Sequence, residues 1–152
     1  MAILSSEDQE WGSSLEIKGG DEQELLGQRW QRFTLHLSSG DHRLALGNSD
    51  SQAERDACMF CRTPNDEIAE LVSQLQDFAK HKKDRVLFEP AEPSFELEVV
   101  RAGTDGINVH VWLDAGNAKT GVYRWDAAGI RFFTVQSNLL TFVEQLKEQF
   151  AC

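Results

Sequence analysis

The stretch from Phe95 to Asp114 constrains the fold more than any other part of the chain. Phe95, Leu97 and Val99 alternate with Glu96 and Glu98, and Gly103-Thr104-Asp105-Gly106 supplies turn chemistry. Ile107, Val109, Val111 and Leu113 then alternate with Asn108, His110, Trp112 and Asp114. Successive side chains of an extended strand point to opposite faces, so this pattern predicts an antiparallel hairpin with one apolar and one polar face. Its register is strongly specified, because a one-residue slip would bury Glu98 and expose Leu97.

The same periodicity recurs on both sides of the hairpin. Ser13 to Lys18 reads as a short strand ended by a turn at Gly19-Gly20-Asp21. Gln28 to Leu37 alternates Phe33, Leu35 and Leu37 with Arg32, Thr34 and His36, turns at Ser38-Ser39-Gly40-Asp41 and returns over Arg43 to Gly47. After a polar loop at Asn48 to Glu54, Ala57 to Cys61 is a candidate buried strand. Thr63 is placed to cap a helix with Pro64 at its first position, and Ile68, Leu71, Val72, Leu75, Phe78 and Ala79 form its apolar stripe. The basic run Lys80 to Arg85 follows, where the helix dipole favours cations. Val86 to Phe88 reads as a strand, and Pro90 and Pro93 impose an extended connector. Beyond the hairpin, Gly116 to Gly121 predicts a turn, Val122 to Asp126 a strand, Ala127-Ala128-Gly129 another turn, and Ile130 to Val135 a last strand. Ser137 is placed to cap a final helix with Leu139, Leu140, Val143, Leu146 and Phe150 on one side.

Hairpin-length connections without repeated strand–helix–strand crossovers predict an α+β fold. The expected form is a single two-layer domain in which a largely antiparallel sheet carries two amphipathic helices on one face. The open face would then present Arg32, Thr34, His36, Glu96, Glu98, Asn108, His110 and Trp112. At 152 residues, 41% of them apolar and 26% charged, a single core can bury roughly 70% of the unfolded surface without disulfides or metals. The formal charge of −10 is unevenly placed: residues 1–27 carry −6 and the rest −4. This divides the chain into an acidic N-terminal segment, 1–27, with room for one short strand, and an α+β domain, 28–152. An acidic chain is a poor binder of nucleic acid by phosphate neutralisation. No run of about 18 apolar residues marks a membrane span, and the N-terminus lacks the basic start and apolar stretch of a secretion signal, so a cytoplasmic location is expected.

Chemistry is sparse in the sequence. Cys58-x-x-Cys61 lacks the second ligand pair of a structural zinc site, and its strand-like context is not that of a redox pair, so buried small hydrophobic thiols are the simpler reading. His36 and His110 with Glu96 and Glu98 would approach a metal-binding set only if their strands were neighbours. No nucleophile elbow, phosphate-binding loop, zinc-protease or dinucleotide pattern occurs, so neither a catalytic residue nor a cofactor is assigned. Trp112 stands out among the four tryptophans, because Val111 and Leu113 already occupy the core side of its strand. A tryptophan flanked by Asn108, His110 and Asp114 has the composition of a protein-binding hot spot.

Several stretches in order resemble the WapI-type immunity proteins of bacterial polymorphic-toxin systems. They are Trp30-Gln31-Arg32-Phe33-Thr34-Leu35, Ile68-Ala69-Glu70-Leu71-Val72-Ser73-Gln74-Leu75, Leu87-Phe88-Glu89-Pro90, Phe95-Glu96-Leu97-Glu98-Val99, Gly106-Ile107-Asn108-Val109, and Phe132-Phe133-Thr134-Val135 leading into Leu139 to Leu146. The likeness spans about residues 28–150 and leaves out the acidic N-terminus and the Cys58/Cys61 segment. It implies a non-catalytic protein that neutralises a cognate toxin by direct binding, with a basic toxin or nuclease domain as the partner. The expected contacts are Asp21, Glu22, Glu24, Trp30, Glu96, Glu98, Asn108, His110, Trp112 and Asp114. An adaptor without a toxin partner, and a small ligand-binding domain or enzyme, stay open on the residues alone, as does a homodimer.

Overall fold

A computed structural model describes residues 1–8, 12–25, 27–46, 59–62, 66–90, 94–114 and 127–150. Its elements are β1 (Ala2–Ser5), β2 (Ser13–Leu25), β3 (Gln28–Ser39), β4 (His42–Leu46), β5 (Met59–Arg62), α1 (Asp66–Ala79), β6 (Arg85–Phe88), β7 (Phe95–Ala102), β8 (Gly106–Asp114), β9 (Ala127–Val135) and α2 (Gln136–Phe150). The fold is α+β and every strand pairing is antiparallel. The strands form two sheets where one was expected. In the first, β1-β2-β3-β4 lie in order and β5 also pairs with β3; the second is β6-β7-β8-β9. Strands β4 and β5 pair with successive stretches of β3, Leu35–Ser39 and Trp30–Phe33.

Both sheets turn their apolar faces to one core. Leu15, Ile17, Phe33, Leu35 and Leu37 come from the first sheet, and Leu97, Val99, Val109, Val111 and Leu113 from the second. The α1 stripe from Ile68 to Phe78 joins them, as do Leu139, Phe142, Val143, Leu146 and Phe150 of α2. Between the sheets, Phe33 meets Phe95 edge-on with ring centroids 5.9 Å apart, and Phe95 also touches Phe88 at 5.8 Å. The helices lie against each other, α2 also against β1, β2 and β9 and α1 against β5 and β6. No helix among the described residues is long and apolar enough to cross a membrane.

Three local expectations change. The Gly19-Gly20 pair is not a turn: β2 runs through it with a register shift between Gly19 and Glu22. A Cβ on Gly19 would lie 3.2 Å from Phe150 and 3.3 Å from Gln31, so the missing side chain serves close packing of α2. Likewise Ala127-Ala128-Gly129 belongs to β9, paired with Asp114, Leu113 and Trp112. Ser137 lies inside α2, which begins at Gln136. The turns that do form place Gly40 and Gly103 at φ of 56° and 73°, where a Cβ would be strained. The proposed Thr63 cap with Pro64, the Gly116–Gly121 turn, the Val122–Asp126 strand and Cys58 lie outside the described residues.

The N-terminal 27 residues contain β1 as well as the expected strand. Ala2, Leu4, Leu15 and Ile17 are fully buried in the common core. The outer edge of β1, which would otherwise expose unpaired backbone groups, is closed by other elements. Ile3 N donates to Gln145 Oε1 at 2.8 Å. Thr134 Oγ1 and Asn138 Nδ2 donate to the Ser5 carbonyl at 2.6 and 3.2 Å, and Glu7 N donates to the Phe133 carbonyl at 3.1 Å.

The end of α1 is held by a left-handed cap. Lys82 N donates to the Asp77 carbonyl at 2.9 Å and His81 N to the Phe78 carbonyl at 3.0 Å, with His81 at φ 58°. Arg101 stacks over the Phe78 ring, 4.4 Å from its centroid, and also donates to the Phe78 carbonyl, while Gln136 Nε2 donates to that of Ala79 at 3.1 Å. The basic run follows the helix, and Lys82 bonds Asp77 at 3.0 Å. That hydrogen bond, with Lys82, Lys83 and Lys80 as attracting charges, lowers the Asp77 pKa below the usual 3.8. A lowered carboxylate favours the folded state above its ordinary pKa and loses that contribution as the pH falls through the folded value.

Two outcomes follow. Leu4→Ala should cost roughly 2–5 kcal/mol in denaturant unfolding, as a cavity in a shared core does; a loss within about 0.5 kcal/mol would detach β1 from that core. His81→Gly relieves roughly 1–2 kcal/mol of left-handed strain against roughly 0.5–1 of added chain entropy, so thermal unfolding should show a net gain of about 0.5–1 kcal/mol.

Candidate functional site

The outer face of the second sheet gathers six of the expected contact residues. Pairing sets Glu96 opposite Trp112, Glu98 opposite His110 and Val100 opposite Asn108. Since Leu97, Val99, Val109 and Val111 fill the core, alternation turns Glu96, Glu98, Asn108, His110, Trp112 and Asp114 outward. The neighbouring strands extend these rows. Leu87 of β6 pairs with Glu98, while on β9 Arg131 pairs with His110, Gly129 with Trp112 and Phe133 with Asn108.

This face is apolar to a degree that its β7 and β8 residues did not show. Leu87 is 47% exposed, Trp112 43% and Phe133 63%. Scattered single apolar residues are ordinary on protein surfaces; these three share one sheet face but lie on different strands and pairing rows, with Glu98, His110 and Asn108 between them. Leu87, Phe133, Arg131, Arg85 and Gly129 were missed at the sequence level. The signal was present: Phe132 and Phe133 are adjacent in a strand, so one of the two must face outward. Leu87 sits between two inward residues in the same way.

Electrostatically the face has a satisfied strip beside groups that no described residue pairs. Glu98 accepts from Arg85 Nε at 2.6 Å, and its other oxygen lies 3.1 Å from His110 Nδ1. This carboxylate therefore fixes both the arginine and the imidazole. No described donor or cation pairs with the half-buried Glu96, and none of the described acids pairs with Arg131. Asp114 is engaged, its backbone N donating to the Ser94 carbonyl at 2.9 Å.

Trp112 is held in place by its neighbour on β9. A Cβ on Gly129 would fall 2.8 Å from Trp112 Cε3 and still closer to the Val111 carbonyl oxygen. The indole thus lies against a glycine backbone, which limits its rotamers and leaves less side-chain entropy to lose on binding.

The other expected residues do not join this face. Asp21, Glu22 and Glu24 are exposed on β2 at and beyond the register shift, and Trp30 is half-buried on β3, paired with Gln23 and Arg62. His36 is exposed on the first sheet between Glu16 and Ala45. The common open face with Arg32, Thr34 and His36 is therefore divided between two sheets, and the His36/His110 carboxylate set is not assembled. No group of three His, Cys, Asp or Glu residues suited to a metal ion occurs among the described residues. Cys61 pairs through its backbone with Gln31 in β5.

Residues 12–151 match the model of the immunity protein WapI-like family, from the turn before β2 to the end of α2. The chain belongs to this family. No curated protein and no solved structure matches it. Membership in the WapI-like family points to a protein partner. The matched span holds the whole outer face, and β1 alone of the strands lies before it.

Gly129→Ala should cost roughly 1–3 kcal/mol in denaturant unfolding and alter tryptophan emission, since the added methyl displaces either the Val111 carbonyl or the indole. Wild-type stability with unchanged emission would show that Trp112 is not held by this contact.

Proposed function

We propose that this protein neutralises a toxin domain by direct, non-catalytic binding, and that the outer face of the second sheet is the surface it uses. The supporting observation is the pre-positioned Trp112 with exposed Leu87 and Phe133 on the same face. An aromatic anchor with limited freedom inside a rim of charges is the usual composition of an interface hot spot. The partner that fits is a basic toxin domain, such as a nuclease, met in the cytoplasm without direct contact between this chain and nucleic acid. A net charge of −10 speeds encounter with such a partner over distances where contact energies do not act. Asp21, Glu22 and Glu24 are exposed and serve that steering, whereas Trp112 serves retention.

Co-expression with a candidate toxin domain, sought in a neighbouring reading frame, tests the reading. Growth should be rescued and the two chains should co-purify; arrest without co-purification would remove the toxin-binding role. Within such a pair, Trp112→Ala should raise the dissociation rate by about tenfold or more with little change in association. Replacing Asp21, Glu22 and Glu24 by Lys should slow association and flatten its salt dependence. An association rate unaffected by that triple reversal would take the N-terminal acids out of the mechanism.

A further inference from the structure

The outer face contains an aromatic ring and a carboxylate that complement one particular side chain. Glu96 and Trp112 are directly opposed on β7 and β8, a relation that brings Cβ atoms to about 4.5–5.5 Å. Glu98, two residues along the same strand, is paired with Arg85 and hydrogen-bonded with His110, but Glu96 has no such partner among the described residues. A half-buried carboxylate has given up part of its hydration, so a cation brought against it gains more than at a fully exposed acid. The adjacent indole attracts cations through its ring face, and tryptophan does so best of the aromatic residues.

We propose that Trp112 and Glu96 form a receptor for an arginine side chain of the protein partner. The inference rests on the reading of this face as the toxin-binding surface. Arginine fits better than lysine because its planar guanidinium stacks on an indole while its fork of N–H groups bonds a carboxylate; an ammonium is a point charge that satisfies one of the two well. Gly129 lies against the ring, and the exposed Leu87 lies one same-face row away, opposite Glu98. Arg131 lies one pairing step along β9 from Gly129, beside His110. Its positive charge, which no described acid pairs, disfavours another cation on that side and so favours placing the incoming arginine toward Glu96.

The receptor can be tested on the intact protein without the toxin. The indole N–H resonance of Trp112, identified by its loss in Trp112→Phe, is followed during titration with the tripeptide Gly-Arg-Gly, its lysine counterpart and its uncharged citrulline analogue. The arginine peptide should give a saturable shift of this resonance with an apparent affinity about threefold to tenfold above that of the citrulline peptide, the range expected of cation–π and surface ion-pair contacts. Glu96→Gln, which is on the outer face and should leave the rest of the spectrum in place, should remove that difference. Equal response to citrulline, an undiminished preference in Glu96→Gln, a stronger response to lysine, or no response up to about 100 mM peptide, beyond the millimolar range of single-side-chain contacts, would each overturn the receptor. A shift produced by raising the protein concentration alone would assign the site to a second copy of this chain and overturn the toxin assignment. Growth rescue with a silent Trp112 resonance would refute the receptor and leave the proposed function standing; a selective arginine response without rescue or co-purification would do the reverse.

Discussion

Phe33 and Phe95, in edge-on contact at 5.9 Å, join two sheets that share no backbone ladder among the described residues. This side-chain contact and the aliphatic residues around it commit the inner faces of both sheets to one core, which the α1 and α2 stripes complete. Once Leu97, Val99, Val109 and Val111 are committed inward, strand geometry leaves Glu96, Glu98, Asn108, His110 and Trp112 no choice but the other side. The candidate site is thus the reverse of the core.

Closing the core creates demands at its margins. Strand β1 would be an open edge, and its backbone groups are met by Gln145, Asn138 and Thr134, while just beyond it Glu7 N donates to the Phe133 carbonyl. At the other margin, α1 ends against β7, where Arg101 covers Phe78 and bonds its carbonyl. These contacts tie N-terminal residues to β9 and α2, far apart in sequence. The acidic stretch accordingly has two roles on one strand: its first half builds the core through Leu15 and Ile17, and its second half, past the register shift, carries exposed Asp21, Glu22 and Glu24.

The face that results differs from an ordinary solvated sheet surface in how its charges are disposed. Glu98, Arg85 and His110 satisfy one another, which removes them from easy competition for a partner. Trp112, Phe133 and Leu87 remain exposed, and no described residue compensates Glu96, which faces the Trp112 position across the strand pair. Binding there would bury apolar area and supply a missing counter-charge together. Family membership agrees with such a surface, since it implies a protein partner.

Alternation and helical periodicity by themselves determined the β7–β8 hairpin, its register, the Gly40 and Gly103 turns, the buried stripe of α1 and the α+β class. These are local properties, fixed by which neighbours in sequence can be buried together. The α2 stripe differs from the expectation in that Leu140 is exposed and Phe142 is buried. The order of elements also carried the family. Tertiary structure alone decided that the strands separate into two sheets, that His36 and His110 lie on different ones, and that Gly19-Gly20 and Gly129 serve close approach instead of turns. It also added Leu87, Phe133 and Arg131 to the Trp112 face, and placed Glu96 opposite Trp112. Each of these depends on which distant strand or helix becomes a neighbour. A glycine that permits a turn and one that admits a neighbouring aromatic ring are the same letter in a sequence, and only packing distinguishes them.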